Sequence, residues 1–155
     1  MQDSQINDVV EILQKELTAE VMPVVSSLAD ARSDPFVILI STLLSLRTKD
    51  EVTAAATERL FRLAATPQEM LQVPPAKITA AIYPVGFYNV KANTIHQVCR
   101  ELIERFSSKV PDNLDDLLSI KGVGRKTANL VIALGYGKEA ICVDTHVHRI
   151  SNRLG

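Results

Sequence analysis

The residues with the clearest chemical potential surround a short glycine turn, Lys121-Gly122-Val123-Gly124, which is followed by Arg125-Lys126. The two glycines permit positive φ and let another backbone come close. A helix that begins just after this turn presents unpaired backbone N–H groups and the positive end of its dipole, and both favour an anion such as phosphate. Because such donors contact the phosphodiester whatever the base, the turn is predicted to position nucleic acid without reading its sequence. A Gly-x-Gly standing alone would instead favour an ordinary joint between two helices.

Lys126 and Asp144 are the side chains near this turn that could take part in catalysis. Taken alone, a lysine two residues after the turn is a solvated charge or a phosphate contact. Asp144 lies 18 residues further on, directly before a helix predicted to start at Thr145, so its plain interpretation is an N-cap. A capping carboxylate is held rigidly, which also suits electrostatic work. The residue types alone therefore leave both interpretations open.

Three other side chains have plain interpretations of their own. His146 and His148 are two residues apart on one predicted helix and do not share a face, and no Cys or carboxylate stands at metal-ligand spacing. We expect both histidines to be structural or DNA-facing, and we predict no metal site. Phe87 follows Gly86 in a predicted loop, where an aromatic residue often folds into the core.

The first half of the chain carries strong helix signals. Asp34-Pro35 is an N-cap followed by proline, and it opens an apolar helix over 36–44 that we predict to be central and buried. Thr48 and Thr66 each stand three residues before a Glu, the spacing of a capping box, and predict helices near 49–64 and 67–72. An amphipathic N-terminal helix is predicted from one apolar stripe: Ile6, Val9, Val10, Leu13 and Leu17.

The second half continues the helical pattern. Three helices are predicted before the turn: a short one after Pro74-Pro75, a long one with an apolar stripe from Ala92 to Phe106, and a short one that Pro111 with Asp112-Asn113 starts and that ends near Ser119. Another helix follows the turn directly, before the one predicted to start at Thr145. Only residues 140–143 resemble a strand, and a lone strand has nothing to pair with. The predicted fold class is therefore all-α, a multi-helix bundle.

Composition limits the classes of protein. The chain of 155 residues is 46% hydrophobic, which fits one globular domain, and no apolar run approaches the length of a membrane helix. The polar N-terminus has no signal-peptide pattern, and Cys99 and Cys142 stand among apolar neighbours, as buried thiols do in a reducing compartment. These features predict a cytoplasmic protein without a membrane partner.

The net charge of −1 conceals an uneven distribution. Residues 1–40 hold seven acidic and two basic side chains, whereas residues 41–155 hold 15 basic and 11 acidic ones. The basic part allows a polyanionic partner without requiring one.

Four sequence blocks, in order, resemble the endonuclease III family of helix-hairpin-helix DNA glycosylases. The resemblance runs from about residue 30 to the last residue, and together the four blocks are far more specific than one Gly-x-Gly. The blocks are Leu43-Leu44-Ser45-x-x-Thr48-Lys49-Asp50, Gly86-Phe87-Tyr88-Asn89-x-Lys91-Ala92, Ile120-x-Gly122-Val123-Gly124-x-x-Thr127-Ala128 and Val143-Asp144-Thr145-His146-Val147-x-Arg149-x-x-Asn152-Arg153.

The resemblance implies catalytic roles for Lys126 and Asp144. Lys126 matches the nucleophile that attacks the sugar C1′ and forms a Schiff base, a step that needs a neutral amine, which Arg125 and the helix N-terminus would favour. Asp144 matches the carboxylate that helps to activate the lysine and stabilises the cationic sugar. Relatives that only hydrolyse the glycosidic bond generally lack this lysine. Lys126 therefore favours a bifunctional glycosylase and AP lyase, which nicks DNA by β-elimination, over the adenine-removing relative.

The resemblance also implies a set of DNA-binding residues, because a glycosylase takes its target base out of the stack. Phe87 matches the position that wedges beside the orphaned base. Arg47 matches a position often held by Gln, which fills the vacated space, and this difference leaves the opposite base unpredicted. Lys121 replaces a common proline and is expected to contact phosphate. The implied set is Arg47, Phe87, Lys121, Gly122, Val123, Gly124, Arg125 and Thr127.

Full-length relatives carry a four-cysteine 4Fe-4S loop, and Cys99 and Cys142 do not match it, so we expect no cofactor in this chain. Because the chain stops at Gly155, we expect a truncated form or a cluster-free variant. The expected organisation is an N-terminal helix over 1–29 that would pack with the missing C-terminal lobe, a helical domain over 30–140 with the hairpin motif at about 113–136, and the start of the second lobe over 141–155.

The resemblance implies base excision DNA repair. The expected activity is excision of oxidised pyrimidines, and the expected partner is double-stranded DNA with a damaged base or an abasic site. We expect a monomer that associates with the nucleoid if the protein is bacterial. Two alternatives are a non-catalytic helix-hairpin-helix DNA-binding module and a glycosylase of the same superfamily with another lesion specificity.

Overall fold

The computed structural model describes residues 3–16, Val25 and residues 34–154. Nine α-helices and no strand lie within these residues, which confirms the all-α prediction. The helices are α1 (Asp3–Glu16), α2 (Pro35–Ser45), α3 (Asp50–Leu63), α4 (Pro67–Gln72), α5 (Pro75–Ile82), α6 (Tyr88–Phe106), α7 (Leu114–Ser119), α8 (Arg125–Leu130) and α9 (Thr145–Leu154). None of these helices combines the length and the apolarity that a membrane span requires.

The chain divides into two compact units, Pro23–Cys142 and a second unit formed by Met1–Met22 with Val143–Gly155. The first unit holds helices α2 to α8, and the second holds α1 and α9. The predicted organisation into 1–29, 30–140 and 141–155 stays a prediction.

Helix α2 is the centre of the first unit, as its sequence predicts. Asp34 caps it, because the Phe36 N–H donates to the Asp34 carboxylate at 2.8 Å. Every residue from Phe36 to Leu44 is buried, and α2 packs against α3, α6 and α8. Because packing fixes the helix along its length, the start of the loop that follows Ser45 is also fixed in position.

The two predicted capping boxes have different outcomes. Thr66 forms one, since its hydroxyl accepts from the Glu69 N–H and the Glu69 carboxylate accepts from the Thr66 N–H. The box at Thr48 is wrong, because α3 begins at Asp50 and its N-cap residue makes no side-chain cap bond. The Thr48 hydroxyl accepts instead from the Gly86 N–H at 3.1 Å.

The hairpin motif lies at the predicted place. Asn113 caps α7, accepting from the Asp116 N–H at 2.9 Å, and residues 120–124 turn the chain into α8. The helix after the turn is not uniform, since α8 continues as a π-helical segment, Val131–Gly135. A Cβ on Gly135 would lie 3.2 Å from Pro35, so this glycine allows the segment to pack closely against the start of α2.

The predicted N-terminal helix is confirmed over Asp3–Glu16. Its apolar residues Ile6, Val10 and Leu13 are each exposed by more than two fifths, and Leu17 lies outside the described residues.

Candidate functional site

The two glycines of the hairpin have different roles. Gly122 has φ of +95°, and a Cβ there would lie 2.6 Å from the Thr94 Cγ2 atom, so both conformation and space require glycine. Gly124 has φ of −96° and ψ of 170°, which any residue adopts, and a Cβ there would meet no atom within 4 Å. Gly124 therefore does not use the positive φ that glycine permits, and no other part of the described protein lies close to it.

The hairpin presents several backbone donors to the outside. The Val123 N–H donates to the Ile120 carbonyl at 3.1 Å and closes the turn, and the Lys121 N–H donates to the Glu101 carboxylate at 3.2 Å. The amides of Gly122, Gly124 and Arg125 have no acceptor within the described part of the chain. These three N–H groups are therefore available to a ligand such as phosphate.

The side chains of the implied DNA-binding set divide into exposed and buried ones. Lys121 and Arg125 are exposed beside the open amides, where they add positive charge. Val123 and Thr127 are buried, with 6% and 1% exposure, so their side chains support the motif from inside. Lys126 is half-buried in the first turn of α8, two residues after Gly124.

Gly124→Ala keeps the backbone N–H but adds a methyl group beside it, which we expect to hinder the close approach of a phosphate. Binding to any duplex should therefore weaken by about tenfold, because a hydrogen bond to a charged group contributes about 1.5–3 kcal/mol. Alanine can adopt the backbone φ of this position, and its methyl group would meet no protein atom within 4 Å. The loss of affinity would therefore arise from contact with the DNA and not from a change in the protein. Fluorescence-anisotropy titrations with two unrelated duplexes over a range of salt concentrations measure it, and affinity should fall with salt for both proteins. Equal affinity of the folded variant and its parent would show that the open amides of the hairpin do not bind phosphate.

Asp144 has the capping role that its position predicts. Its Oδ1 atom accepts from the backbone N–H groups of His146 at 2.9 Å and Val147 at 2.8 Å, at the start of α9. These two bonds fix the carboxylate relative to the helix. Asp144 belongs to the second unit of the chain and Lys126 to the first.

The described residues offer no set of side chains that fits a metal ion or an iron–sulfur cluster. Among the described residues, no group of three or more His, Cys, Asp or Glu side chains could hold a metal ion. Cys99 is fully buried, and burial raises the pKa of its thiol to about 12, which opposes the thiolate that such a cluster needs. His146 and His148 are exposed on α9, where their rings lie 3.4 Å from Arg149 Nη2 and 3.2 Å from Asn152 Nδ2 respectively.

The structure brings the two implied base-stack residues together. Arg47 follows α2 and Phe87 precedes α6, and both have left-handed φ, +54° and +59°. The Arg47 Cζ atom lies 5.7 Å from the centroid of the Phe87 ring. Phe87 is 61% exposed, so its plain interpretation as a core aromatic is wrong.

The sequence alone assigns no role to Lys91, which is buried to 8% exposure in the structure and bonds to the chain on both sides of Arg47. Its Nζ atom donates to the carbonyls of Leu44 at 2.8 Å and Leu46 at 2.6 Å, and to the Thr48 hydroxyl at 3.2 Å. Burial lowers the pKa of the Lys91 ammonium to about 8. One signal could have identified it, since Lys91 stands four residues before Ile95 on the apolar side of α6.

The stability that Lys91 contributes is expected to rise with pH. Folding lowers the pKa of Lys91 from its ordinary 10.5 to about 8, so between these values the unfolded chain binds the proton more tightly. Below pH 8 the buried charge costs stability, and above it deprotonation relieves that cost. Urea unfolding measures this effect. Between pH 7.5 and pH 10, the free energy of unfolding of the parent should rise by roughly 1–3 kcal/mol relative to that of Lys91→Met, which lacks the titrating group. A difference between the two proteins that does not change with pH would contradict this.

Comparison with known proteins gives consistent matches. Residues 40–155 match the HhH-GPD superfamily of base excision DNA repair proteins. Endonuclease III of Thermotoga maritima is 50% identical over 123 residues, which is 79% of this chain and 58% of the relative. The chain thus spans about three fifths of the length of this curated relative.

Two solved structures of endonuclease III with DNA have the same fold. A non-covalent endonuclease III–DNA complex superposes with a TM-score of 0.88 at 35% identity, covering 100% of this chain and 70% of that one. A trapped covalent endonuclease III–DNA intermediate, an estranged-adenine complex, gives a TM-score of 0.89 with the same identity and coverage.

Proposed function

The chain belongs to the HhH-GPD superfamily of base excision DNA repair proteins, and from this membership we propose that it acts as a bifunctional DNA glycosylase and AP lyase. Its substrates in this proposal are oxidised pyrimidines in duplex DNA and abasic sites. The endonuclease III relatives at 50% sequence identity and at TM-scores of 0.88 and 0.89 support this activity over others in the superfamily.

The observation that carries the proposal is the place of Lys126 in the first turn of α8. The open amides of Gly122, Gly124 and Arg125 precede it, and they suit a DNA phosphate. A phosphate held there would bring the sugar–phosphate backbone to an amine, and such positioning lowers the barrier to attack. A module that only binds DNA needs the amides but no lysine nucleophile.

The covalent chemistry follows from the amine. The neutral Nζ of Lys126 bonds to the sugar C1′ while the glycosidic bond breaks, and the base leaves with the bonding pair and takes up a proton. Opening of the sugar ring converts the adduct to a protonated imine. Loss of a C2′ proton then expels the 3′ phosphate by β-elimination, and water hydrolyses the imine and regenerates Lys126.

Asp144 supplies negative charge in this proposal. Positive charge develops on the sugar as the glycosidic bond breaks, and a carboxylate stabilises that charge most strongly in the transition state. The two amides of α9 that bond its Oδ1 atom fix its orientation. Asp144 therefore acts as an N-cap and as an electrostatic catalyst.

Base flipping in this proposal requires residues that fill the vacated space, and Arg47 and Phe87 are placed to do so. Both side chains project from loops, and Phe87 is 61% exposed. The relative trapped as an endonuclease III–DNA covalent intermediate, described as an estranged-adenine complex, supports such a step.

A duplex that contains a single oxidised pyrimidine tests the function. We expect the 155-residue chain to release the free base and to nick the strand on the 3′ side of the damaged position. Duplex binding without base release or nicking would support the alternative of a non-catalytic DNA-binding module. Release of a different class of damaged base, with nicking, would support the alternative specificity within the same superfamily.

A further inference from the structure

Arg47 and Phe87 come from loops 40 residues apart in sequence, yet their side chains meet. The contact places the Arg47 Cζ atom 5.7 Å from the Phe87 ring, on the outside of the protein. A cation–π contact at an exposed site is weak. Because this contact is weak, the relative position of the two loops must depend on other interactions below the surface.

Lys91 is bonded to both loops. Its backbone N–H donates to the Phe87 carbonyl at 2.9 Å, so it anchors the residue that precedes α6. Its Nζ atom donates to the Leu46 carbonyl and the Thr48 hydroxyl, the neighbours of Arg47 on either side. With the Leu44 carbonyl as third acceptor, all three donors of the ammonium are used.

The position of these acceptors explains why a buried ammonium is tolerated. Leu44 lies in the last turn of α2 and Leu46 follows the helix, where carbonyls lack partners within the helix. The same end of the helix carries the negative end of its dipole. Lys91 therefore satisfies the C-terminus of α2 from the neighbouring helix α6.

Thr48 and Gly86 complete the connection between the loops. The Thr48 hydroxyl accepts from both the Lys91 ammonium and the Gly86 N–H, at 3.2 and 3.1 Å. A Cβ on Gly86 would lie 2.5 Å from the Arg47 carbonyl oxygen, so glycine allows the two backbones to touch. We call Lys91, Thr48 and Gly86 the loop clamp.

We propose that Lys91, through the loop clamp, is the positioning residue that sets Arg47 and Phe87 as one unit for insertion into the base stack at a lesion. This inference rests on the proposed function and adds a residue that does not itself touch DNA. Without the clamp, the hairpin still binds the DNA backbone, but Arg47 and Phe87 no longer enter the stack together.

The test measures insertion separately from binding. A duplex carries 2-aminopurine opposite a tetrahydrofuran abasic analogue, and unstacking of 2-aminopurine raises its fluorescence. The parent chain should raise the signal and prefer this duplex to an undamaged one. Lys91→Met should lose most of the signal and about tenfold of the preference, as expected when a stacking contact is misplaced.

Three further comparisons separate positioning from a general structural effect. Affinity for an undamaged duplex should stay within about twofold in Lys91→Met, because the hairpin contacts are unchanged. Thr48→Val, which removes one hydroxyl, should lower the fluorescence signal, and Thr48→Ser should restore it. Lys77→Met, at an exposed lysine of α5, is the matched control and should behave as the parent.

The possible outcomes distinguish a failure of the loop clamp from a failure of the proposed function. Parent-like fluorescence in Lys91→Met and Thr48→Val overturns the clamp and leaves the proposed function standing. An equal loss of affinity for damaged and undamaged duplexes in both variants also overturns it, because that marks a general structural role. No lesion preference in the parent overturns the proposed function, and this inference with it.

Discussion

Lys126→Ala is expected to abolish strand nicking at a preformed abasic site, with a rate roughly a thousandfold or more below the parent. Without the amine no bond to C1′ forms, and the β-elimination loses its electron-withdrawing imine. Lys126 is half-buried near the start of α8, and alanine favours helix, so the variant should fold. Time courses on an end-labelled duplex with one abasic site measure the rate.

Lys126→Arg is the matched variant for this prediction. It keeps a positive charge and duplex affinity, but its guanidinium is not a nucleophile at neutral pH. Nicking should therefore be lost as completely as in Lys126→Ala, whereas binding should be lost less. Nicking at the parent rate by either folded variant would show that Lys126 is only a phosphate contact.

Asp144→Asn is expected to slow base excision by about a hundredfold to a thousandfold while the protein stays folded. The amide keeps the size of the side chain and its capping oxygen, so the free energy of unfolding should fall by at most ~1 kcal/mol. What disappears is the negative charge that, in the proposed mechanism, stabilises the developing sugar cation. Single-turnover release of an oxidised pyrimidine measures the effect, alongside urea unfolding.

Nicking at a preformed abasic site should suffer less in Asp144→Asn, because Lys126 then meets an aldehyde and no glycosidic bond has to break. Asp144→Ala provides the contrast, since it removes the cap bonds to His146 and Val147 as well as the charge. If Asp144→Asn excises bases at the parent rate and Asp144→Ala merely unfolds more easily, Asp144 is an N-cap alone.

Local signals account for what the sequence predicts well. Asp34 and Thr66 cap their helices as expected, because each finds its donor within three residues along the chain. Asn113 caps its helix in the same local way. The burial of α2 follows in the same way from its nearly continuous apolar run. These features depend on spacing that can be read directly from the sequence.

Features with distant partners are not predicted from spacing. Thr48 has the same spacing to a Glu as Thr66, but its hydroxyl is engaged by Gly86, which is 38 residues away. The acceptors of Lys91 cannot be predicted from the sequence for the same reason, since they lie 43 to 47 residues earlier in the chain. Only tertiary structure identifies such pairs.

The hairpin shows the same limit on a smaller scale. Gly122 and Gly124 look equivalent in the sequence, yet only Gly122 needs its positive φ and the space beside Thr94. The π-helical turn after α8 also leaves no mark in the apolar pattern, because one additional residue in a turn changes the spacing too little.

Borohydride trapping of the 155-residue chain on abasic-site DNA tests the central claim most directly. Reduction of the imine would fix the protein to the DNA, and peptide mapping would then identify the attached residue. We expect a stable adduct that maps to Lys126 and is absent from Lys126→Ala. No adduct from folded, DNA-bound protein, or an adduct at another residue, would contradict it.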